Sequence, residues 1–365
     1  MKKQILHCTP AYPWSGDPQN GSFVSLLVHH LRAISSGFVV HLRHHSFCRT
    51  ESLLATDVPG ISIGSPGGWR GWWFKRKSIQ AYIDKKLCNR VDIIYLHMPN
   101  PDVLWLALWA RRKKIPLVIA EHRSAFLNGD FQRQSVVRRW MVQAVFSLAH
   151  EVVVPSQALG KGLRKAGIVK PFTVIPNMIP YPHYRGATDK AEGHRFGMLA
   201  DVVDSIKGHS GVLSAWSIYS DLHPKDTLHI AGEGVDRTFL MKKFKHLSRV
   251  EWLGTTSPSH AVAFLQDIDT LIVHSPVESF SMALAEALGS GCTAIVTRCI
   301  GPQEWAPDAP IEWIDYKPEH PLTLCLAMEK VKQRTELTSH EVIALLKPFQ
   351  PENVLQAHAS LWERF

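Results

Sequence analysis

The sequence predicts an α/β protein of two doubly wound domains, with the functional residues in the cleft between them, and three observations carry that expectation. Short β-rich apolar runs alternate with segments of helical length along the chain, the pattern of parallel sheets covered by helices. A length of 365 residues suits two domains of ordinary size, each burying its own core. The alternation breaks at PNMIPYPHYRGATDKAEGH, residues 176–194, where proline, glycine and charge interrupt every period and mark a hinge.

Taken in order, the strands of the first half are Gln4–Cys8, Val39–Arg43, Ile93–Tyr95, Leu117–Ala120, Glu151–Val154 and Phe172–Ile175. Those of the second half are Phe196–Leu199, Thr227–Ala231, Val250–Leu253, Thr270–His274, Thr293–Val296 and Ile311–Ile314. The last segment starts with Pro351, suited to a first helical turn, and places Val354, Leu355, Ala359 and Leu361 near one face, so it reads as a closing helix. The expected domains are residues 1–180 and 181–350, with 351–365 packing back toward the first.

Composition excludes several classes. Hydrophobic residues make up 45% and charged residues 20%, and no apolar run reaches the 18 or so residues of a membrane span. The apolar stretch after MKK is too short for a signal peptide, which points to a cytoplasmic protein. Six scattered cysteines without a Cys-x-x-Cys pair read as buried free thiols, and the 20 histidines include no metal-ligand spacing, so no metal is expected. The charge is uneven: residues 1–180 hold 24 Lys and Arg against 9 Asp and Glu, and the remainder holds 17 against 23. The first half therefore expects an anionic partner.

Open parallel sheets bind ligands beyond the carboxyl ends of their strands. There, strand LIVHS is followed by PVESFSMALAEALGSGC, a loop holding Glu278, a helix from about Ser281 to Leu288, and paired glycines. Glu278 precedes the helix and Glu286 lies on its second turn, two acceptors for sugar hydroxyls, while the amides of Phe280, Ser281 and Met282 would point at a phosphate.

At this point the chain resembles the family-four (group 1) retaining glycosyltransferases, whose GT-B fold faces two Rossmann-like domains across a cleft and whose Glu-x7-Glu motif sits in the same context. The resemblance extends to YPWSGDPQNGSFVSLLVHHL near the start, LVIAEH, EVVVPS with VIPN, Lys207-Gly208, IAGEG and VEWLG. It implies that Glu278 contacts the transferred sugar, Glu286 the ribose, and Lys207 the donor diphosphate. It also implies that Gly21 and Gly232 allow close approach to the donor, and that His122 lines the reaction centre. On the residues alone, a hydrogen-bonded strand-end histidine is the alternative for His122 and an exposed lysine before a helix the alternative for Lys207.

One departure stands out: Met198 occupies the place where the family has an arginine, the second cation for the diphosphate, so a weaker leaving-group site or a non-catalytic relative is the alternative. Asp267-Ile268-Asp269 has the form of a metal-binding Asp-x-Asp but reads as a surface turn. Gly232-Glu233-Gly234 starts like a dinucleotide fingerprint, yet Arg237 stands where its third glycine would pack.

In GGWRGWWFKRKSIQAYIDKKL the residues Trp69, Arg70, Trp72, Trp73, Lys75, Arg76 and Lys77 form an interleaved aromatic and basic patch, joined by Arg111–Lys114 and Arg138-Arg139. Such a patch suits an anionic lipid surface; tryptophans turned into a core are the alternative. The resulting expectation is a metal-independent enzyme with no cofactor. It would move a hexosyl group from a nucleoside-diphosphate sugar to a saccharide acceptor, lipid-linked, in bacterial envelope polysaccharide, lipopolysaccharide or glycolipid synthesis. It would lie on the inner face of the cell membrane and have no nucleic-acid partner.

Overall fold

The computed structural model describes residues 2–14, 16–17, 20–53, 58–87, 90–179, 192–334 and 337–365. Most of the expected hinge, and Cys88, lie outside the described residues. Two compact units are present: Met1–Met178 together with Pro351–Phe365, and Ile179–Gln350.

In the first unit the strands are β1 (Lys3–Thr9), β2 (Ser35–His44), β3 (Arg49–Ser52), β4 (Gly60–Ser65), β5 (Ile93–His97), β6 (Leu117–Ala120), β7 (Glu151–Val154) and β8 (Thr173–Val174). Its helices are α1 (Ser22–Leu31), α2 (Gly68–Lys86), α3 (Leu104–Lys113), α4 (Asp130–Arg133), α5 (Val136–Ser147) and α6 (Gln157–Lys165). The sheet order is β3-β4-β2-β1-β5-β6-β7-β8, parallel except for β3. Strands β3 and β4 were not expected from the sequence: RTES and GISIGS are too polar or glycine-rich to read as strands, and pairing with β2 makes them so.

The second unit contains β9 (Arg195–Leu199), α7 (Asp204–Lys207), α8 (His209–Leu222), β10 (Thr227–Ala231), α9 (Arg237–Lys243), β11 (Val250–Gly254), α10 (Pro258–Asp267) and β12 (Thr270–Val273). It continues through α11 (Met282–Gly289), β13 (Thr293–Thr297), α12 (Ile300–Trp305), β14 (Ile311–Ile314), α13 (Pro321–Val331) and α14 (Ser339–Leu346). All six strands are parallel in the order β11-β10-β9-β12-β13-β14. The final helix α15 (Pro351–Trp362) belongs to the first unit.

Alternation along the strands builds a core on each face of each sheet. In the first unit Leu6, Cys8 and Leu96 pack against α2, α3 and α5, whereas Ile5, Tyr95 and Val118 pack against α1 and α15. The inner face of α15 includes Val354 and Leu361, as expected, but also His358 and Trp362 in place of Ala359. In the second unit Phe196 and Met198 face α8 and α13, while Leu271 and Val273 face α10 and α11. Strand order reverses between β1 and β5 and again between β9 and β12. The loops that leave those strand pairs diverge to opposite faces and open a crevice.

A line of buried histidines runs through the α15 side of the first unit. His7 Nδ1 lies 3.2 Å from His97 Nε2, and the His97 ring stacks on His122 with centroids 6.4 Å apart. His358 Nδ1 is 2.9 Å from the Val354 carbonyl and donates to it, so its Nε2 accepts from the Tyr95 hydroxyl at 3.1 Å, which tethers α15 to β5. Burial pushes His7 down to about 3, His122 and His358 down to about 4, and His97 well below the ordinary value of 6.5.

These rings are neutral in the fold and take up protons on unfolding below pH 6.5, so their stabilisation is complete above that value and drains as the pH falls toward 4. Denaturant titrations across this window are expected to show stability falling with uptake of more than one proton on unfolding, and His358→Gln to reduce that uptake. A flat profile would contradict the neutral cluster.

Candidate functional site

The second sheet's switch point gathers the residues with chemistry. Lys207 ends α7, in the loop after β9, and Glu278 lies in the loop after β12, the strand beside it. Lys207 Nζ donates to Glu278 Oε1 at 2.7 Å, and the Ser275 hydroxyl donates to the same oxygen at 2.7 Å. The Glu278 side chain is nearly buried and Lys207 retains partial exposure, so the ammonium is pre-positioned by a carboxylate yet reachable from solvent.

Gly208 makes this pair possible. It has φ 65°, ends α7 and begins α8, and a Cβ there would stand 2.3 Å from the His274 carbonyl oxygen. The His274 ring closes the contact by donating from Nδ1 to the Gly208 oxygen at 3.0 Å. Only a glycine lets the ends of α7 and β12 come this close.

Helix α11 starts at Met282, with Ser281 as its N-cap in a left-handed conformation, φ 67° and ψ 84°. A non-glycine residue held there stores strain of about 1–3 kcal/mol, and such outliers cluster at functional sites. Phe280 is a core anchor, stacked on Trp305 and edge-on to Phe349, and its carbonyl accepts from Trp305 Nε1 at 2.9 Å. Any ligand contact by Phe280 would therefore come from its amide. On α11 the half-buried residues Met282, Ala283 and Glu286 share one stripe while Leu284, Ala285, Ala287 and Leu288 are buried, so Glu286 lies on the less buried face that continues from the helix start. Burial pushes its carboxyl up to about 7.

Gly232 and Gly234 pack two loops against each other: a Cβ on Gly232 would strike the Ala200 oxygen at 1.9 Å, and one on Gly234 the Val202 oxygen at 2.3 Å. Met198, where the resemblance places an arginine, is 1% exposed and packed in the α8 face of the core, so it offers no charge to a ligand. The relevant fact is that the segment between Leu199 and Lys207 carries Asp201 and Asp204 and no basic residue. Asp267 and Asp269 form a structural turn, the first paired with the Arg195 guanidinium and the second accepting from its amide. Arg237 pairs with Glu233 at 3.1 Å.

In the first unit Gly21 caps α1 with φ 63°, and a Cβ would lie 2.3 Å from the Ala11 oxygen. Two residues on, Phe23 meets the His122 ring edge-on at 5.0 Å, so the loop after β1 and the loop after β6 converge on His122. Asn177 hydrogen-bonds His122. Sequence reasoning missed Glu121, a fully buried carboxylate that accepts from the amides of His122 and Arg123 and from the Arg123 guanidinium. Its signal was present as Glu-His-Arg at a strand end, where two opposite charges flank the candidate.

The expected basic patch divides. Trp69, Arg70, Trp73, Arg76 and Lys77 are exposed, with Arg76 5.1 Å and Lys77 5.6 Å from the Trp73 ring centroid. Lys75 is instead buried and paired with Asp102 at 2.5 Å, and Trp72 packs partly against the core, so neither belongs to a surface patch. Arg111–Lys114 end α3, at the amino edge of the sheet, whereas Trp69 begins α2 at its carboxyl edge. Cys48 is exposed rather than buried. No helix among the described residues is long and apolar enough to cross a membrane, and no group of three His, Cys, Asp or Glu among them is placed to hold a metal.

Two parallel α/β units, with an ammonium, a carboxylate and a helix start at the second unit's switch point, define the GT-B class of transferases. Residues 21–181 match the model of Glycosyltransferase Family 4 and residues 185–310 that of Glycosyl transferases group 1, and the chain belongs to this family. Glycogen synthase of Mycobacterium tuberculosis is 28% identical over 234 residues, 58% of this chain and 53% of that protein, so the chain spans about half the length of the curated relatives it matches. Similar folds include sucrose-phosphate synthase from Thermosynechococcus elongatus, with TM-score 0.76 and 14% identity over 100% of this chain and 99% of that one. A lipopolysaccharide outer core galactosyltransferase in its apo form has TM-score 0.68 and 14% identity over 99% and 100% of the two chains. The E. coli structure titled trehalose-6-phosphate bound with UDP-2-fluoro glucose has TM-score 0.66 and 10% identity over 100% and 99%.

Gly208→Ala tests the close approach behind the Lys207–Glu278 pair. The added methyl meets backbone at 2.3 Å in a left-handed conformation, so a loss of stability of more than about 1 kcal/mol is expected in denaturant unfolding. An unchanged midpoint would show that the two loops can separate at no cost.

Proposed function

We propose that this chain transfers a hexosyl group, with retention and without a metal, from a nucleoside-diphosphate sugar to a saccharide acceptor. The acceptor is lipid-linked, an intermediate of bacterial envelope polysaccharide or glycolipid synthesis, and the protein works at the cytoplasmic face of the membrane. The observation that carries the reading is the 2.7 Å Lys207–Glu278 pair beside the start of α11.

A diphosphate gains from the ammonium of Lys207 and from the unpaired first amides of α11. As it binds, Lys207 can turn from Glu278 to phosphate, freeing the carboxylate to accept from a sugar hydroxyl. Glu286, further along the less buried face of α11, accepts from the ribose. That a relative in fold is titled with bound UDP-2-fluoro glucose supports this class of donor. His122, with Gly21 beside it through Phe23, serves the acceptor side of the reaction.

The acidic segment before Lys207 favours a second reading, a protein that binds nucleotide sugar without turning it over, because only one cation stands in this loop. Thermal-shift measurements with a panel of nucleotide sugars, followed by donor hydrolysis and transfer assays, separate the two. The transferase reading expects a shift with at least one donor and turnover that falls about 100-fold in Glu278→Ala. Equal turnover in that variant would overturn it, and binding without turnover would select the second reading.

The Glu286 carboxyl, raised to about 7, accepts hydrogen bonds from hydroxyls best when ionised. Donor affinity is expected to tighten as the pH rises from about 6 to 8, and Glu286→Gln to flatten that dependence. Calorimetric titration at several pH values reads it directly; a pH-independent affinity in the unsubstituted protein would remove Glu286 from the donor contacts.

A further inference from the structure

A helix that follows a strand of a parallel sheet starts at the strand's carboxyl edge and runs back toward the amino edge. Helix α2 follows β4, and α5 follows β6 after two short turns, so both start at the edge where Gly21 and His122 lie. Each presents large apolar side chains to solvent at that end. Trp69 is 74% exposed on α2, and Val136 and Trp140 are 70% and 63% exposed on α5, with Val137 exposed beside them. Core packing does not account for these residues, because α5 meets the core through Val142, Val145 and Phe146, further along.

The two helix starts are parts of one surface. Lys75 of α2 bonds Asp102 in the turn Pro101–Val103, and α5 packs against that same turn. Arg76 of α2 also lies over the Trp105 ring of α3, 5.9 Å from its centroid, and α3 packs on α5. Cations are interleaved with the apolar groups: Arg70 lies 5.5 Å from the centre of Trp69, Arg76 and Lys77 flank Trp73, and Arg138 is exposed between Val137 and Trp140.

Apolar protein interfaces exclude lysine from their centres, whereas a headgroup layer takes aromatic rings and aliphatic side chains at its acyl boundary and cations at its phosphates. We infer that the first turns of α2 and α5 together form a docking surface for an anionic bilayer, with the carboxyl edge of the first sheet turned toward the headgroups. The inference deepens the lipid-linked acceptor reading and rests on it for its purpose: it brings the Gly21 and His122 loops to the membrane surface. The new element is α5, whose Val136, Val137 and Trp140 contribute the larger apolar share.

The test is co-sedimentation of the full chain with phosphatidylcholine vesicles and with vesicles containing phosphatidylglycerol, at low and raised salt. The expected result is binding to the anionic vesicles at least about tenfold tighter, weakened by salt. It should fall about tenfold again in V136S/V137S/W140S and in W69S/W73S, and hold in R111S/R112S, which removes charge at the opposite edge. Equal binding to both vesicle types, undiminished binding in the α5 variant, or an equal loss in R111S/R112S would each overturn the proposal. So would a dimer of the unsubstituted protein that the α5 variant abolishes while vesicle binding is absent, since that assigns the surface to a second copy. Equal melting temperatures show that the variants fold, and nucleotide-sugar thermal shifts of the unsubstituted protein keep the readings apart: a donor shift without vesicle binding removes the surface alone, and vesicle binding without a donor shift removes the proposed activity alone.

Discussion

The contact between Lys207 and Glu278 depends on a close approach of two chain segments, and much of the second unit serves to maintain that approach. The β9–β12 adjacency brings the two loops to one place, Gly208 lets backbone meet backbone without a Cβ between, and the His274 ring fills the remaining donor position. Phe280, locked between Trp305 and Phe349, then fixes where the chain turns into α11. An ammonium held 2.7 Å from a nearly buried carboxylate has already lost most of its side-chain freedom, which is the physical sense of pre-organisation here.

The first unit is organised differently. Its candidate centre is a neutral histidine line rather than a charge pair, and the neighbouring charge is confined to the Glu121–Arg123 pair. That pair satisfies the buried carboxylate with two backbone amides and a guanidinium, so it holds the chain at His122 rigidly. Placing His358 of the last helix at the other end of the line makes α15 part of the same polar core.

Much of this was legible in residue order. Strand positions in the second unit agree closely with the expected ones, most plainly for β12 and β13, which are buried throughout and read as continuous apolar runs. The failures have equally specific causes. GISIGS forms β4 through pairing with β2, a neighbour decided by topology, so its own propensity was silent. That Met198 packs into the core was not legible either, because its place in a motif says nothing of which face of β9 it takes. Lys75 looked like one cation among several, and Asp102, 27 residues away in sequence, draws it inward.

The sequence by itself determined the class of fold, the two-unit organisation and the identity of the glutamates, the lysine and the glycines at strand ends. Periodicity and local backbone requirements are properties of neighbouring residues, and no tertiary information is needed to read them. The tertiary structure alone decided which loops meet, that Lys207 is held by Glu278, that Glu121 lies buried behind His122, and that the exposed starts of α2 and α5 share one edge. These are consequences of strand order, and strand order places residues side by side that are far apart along the chain.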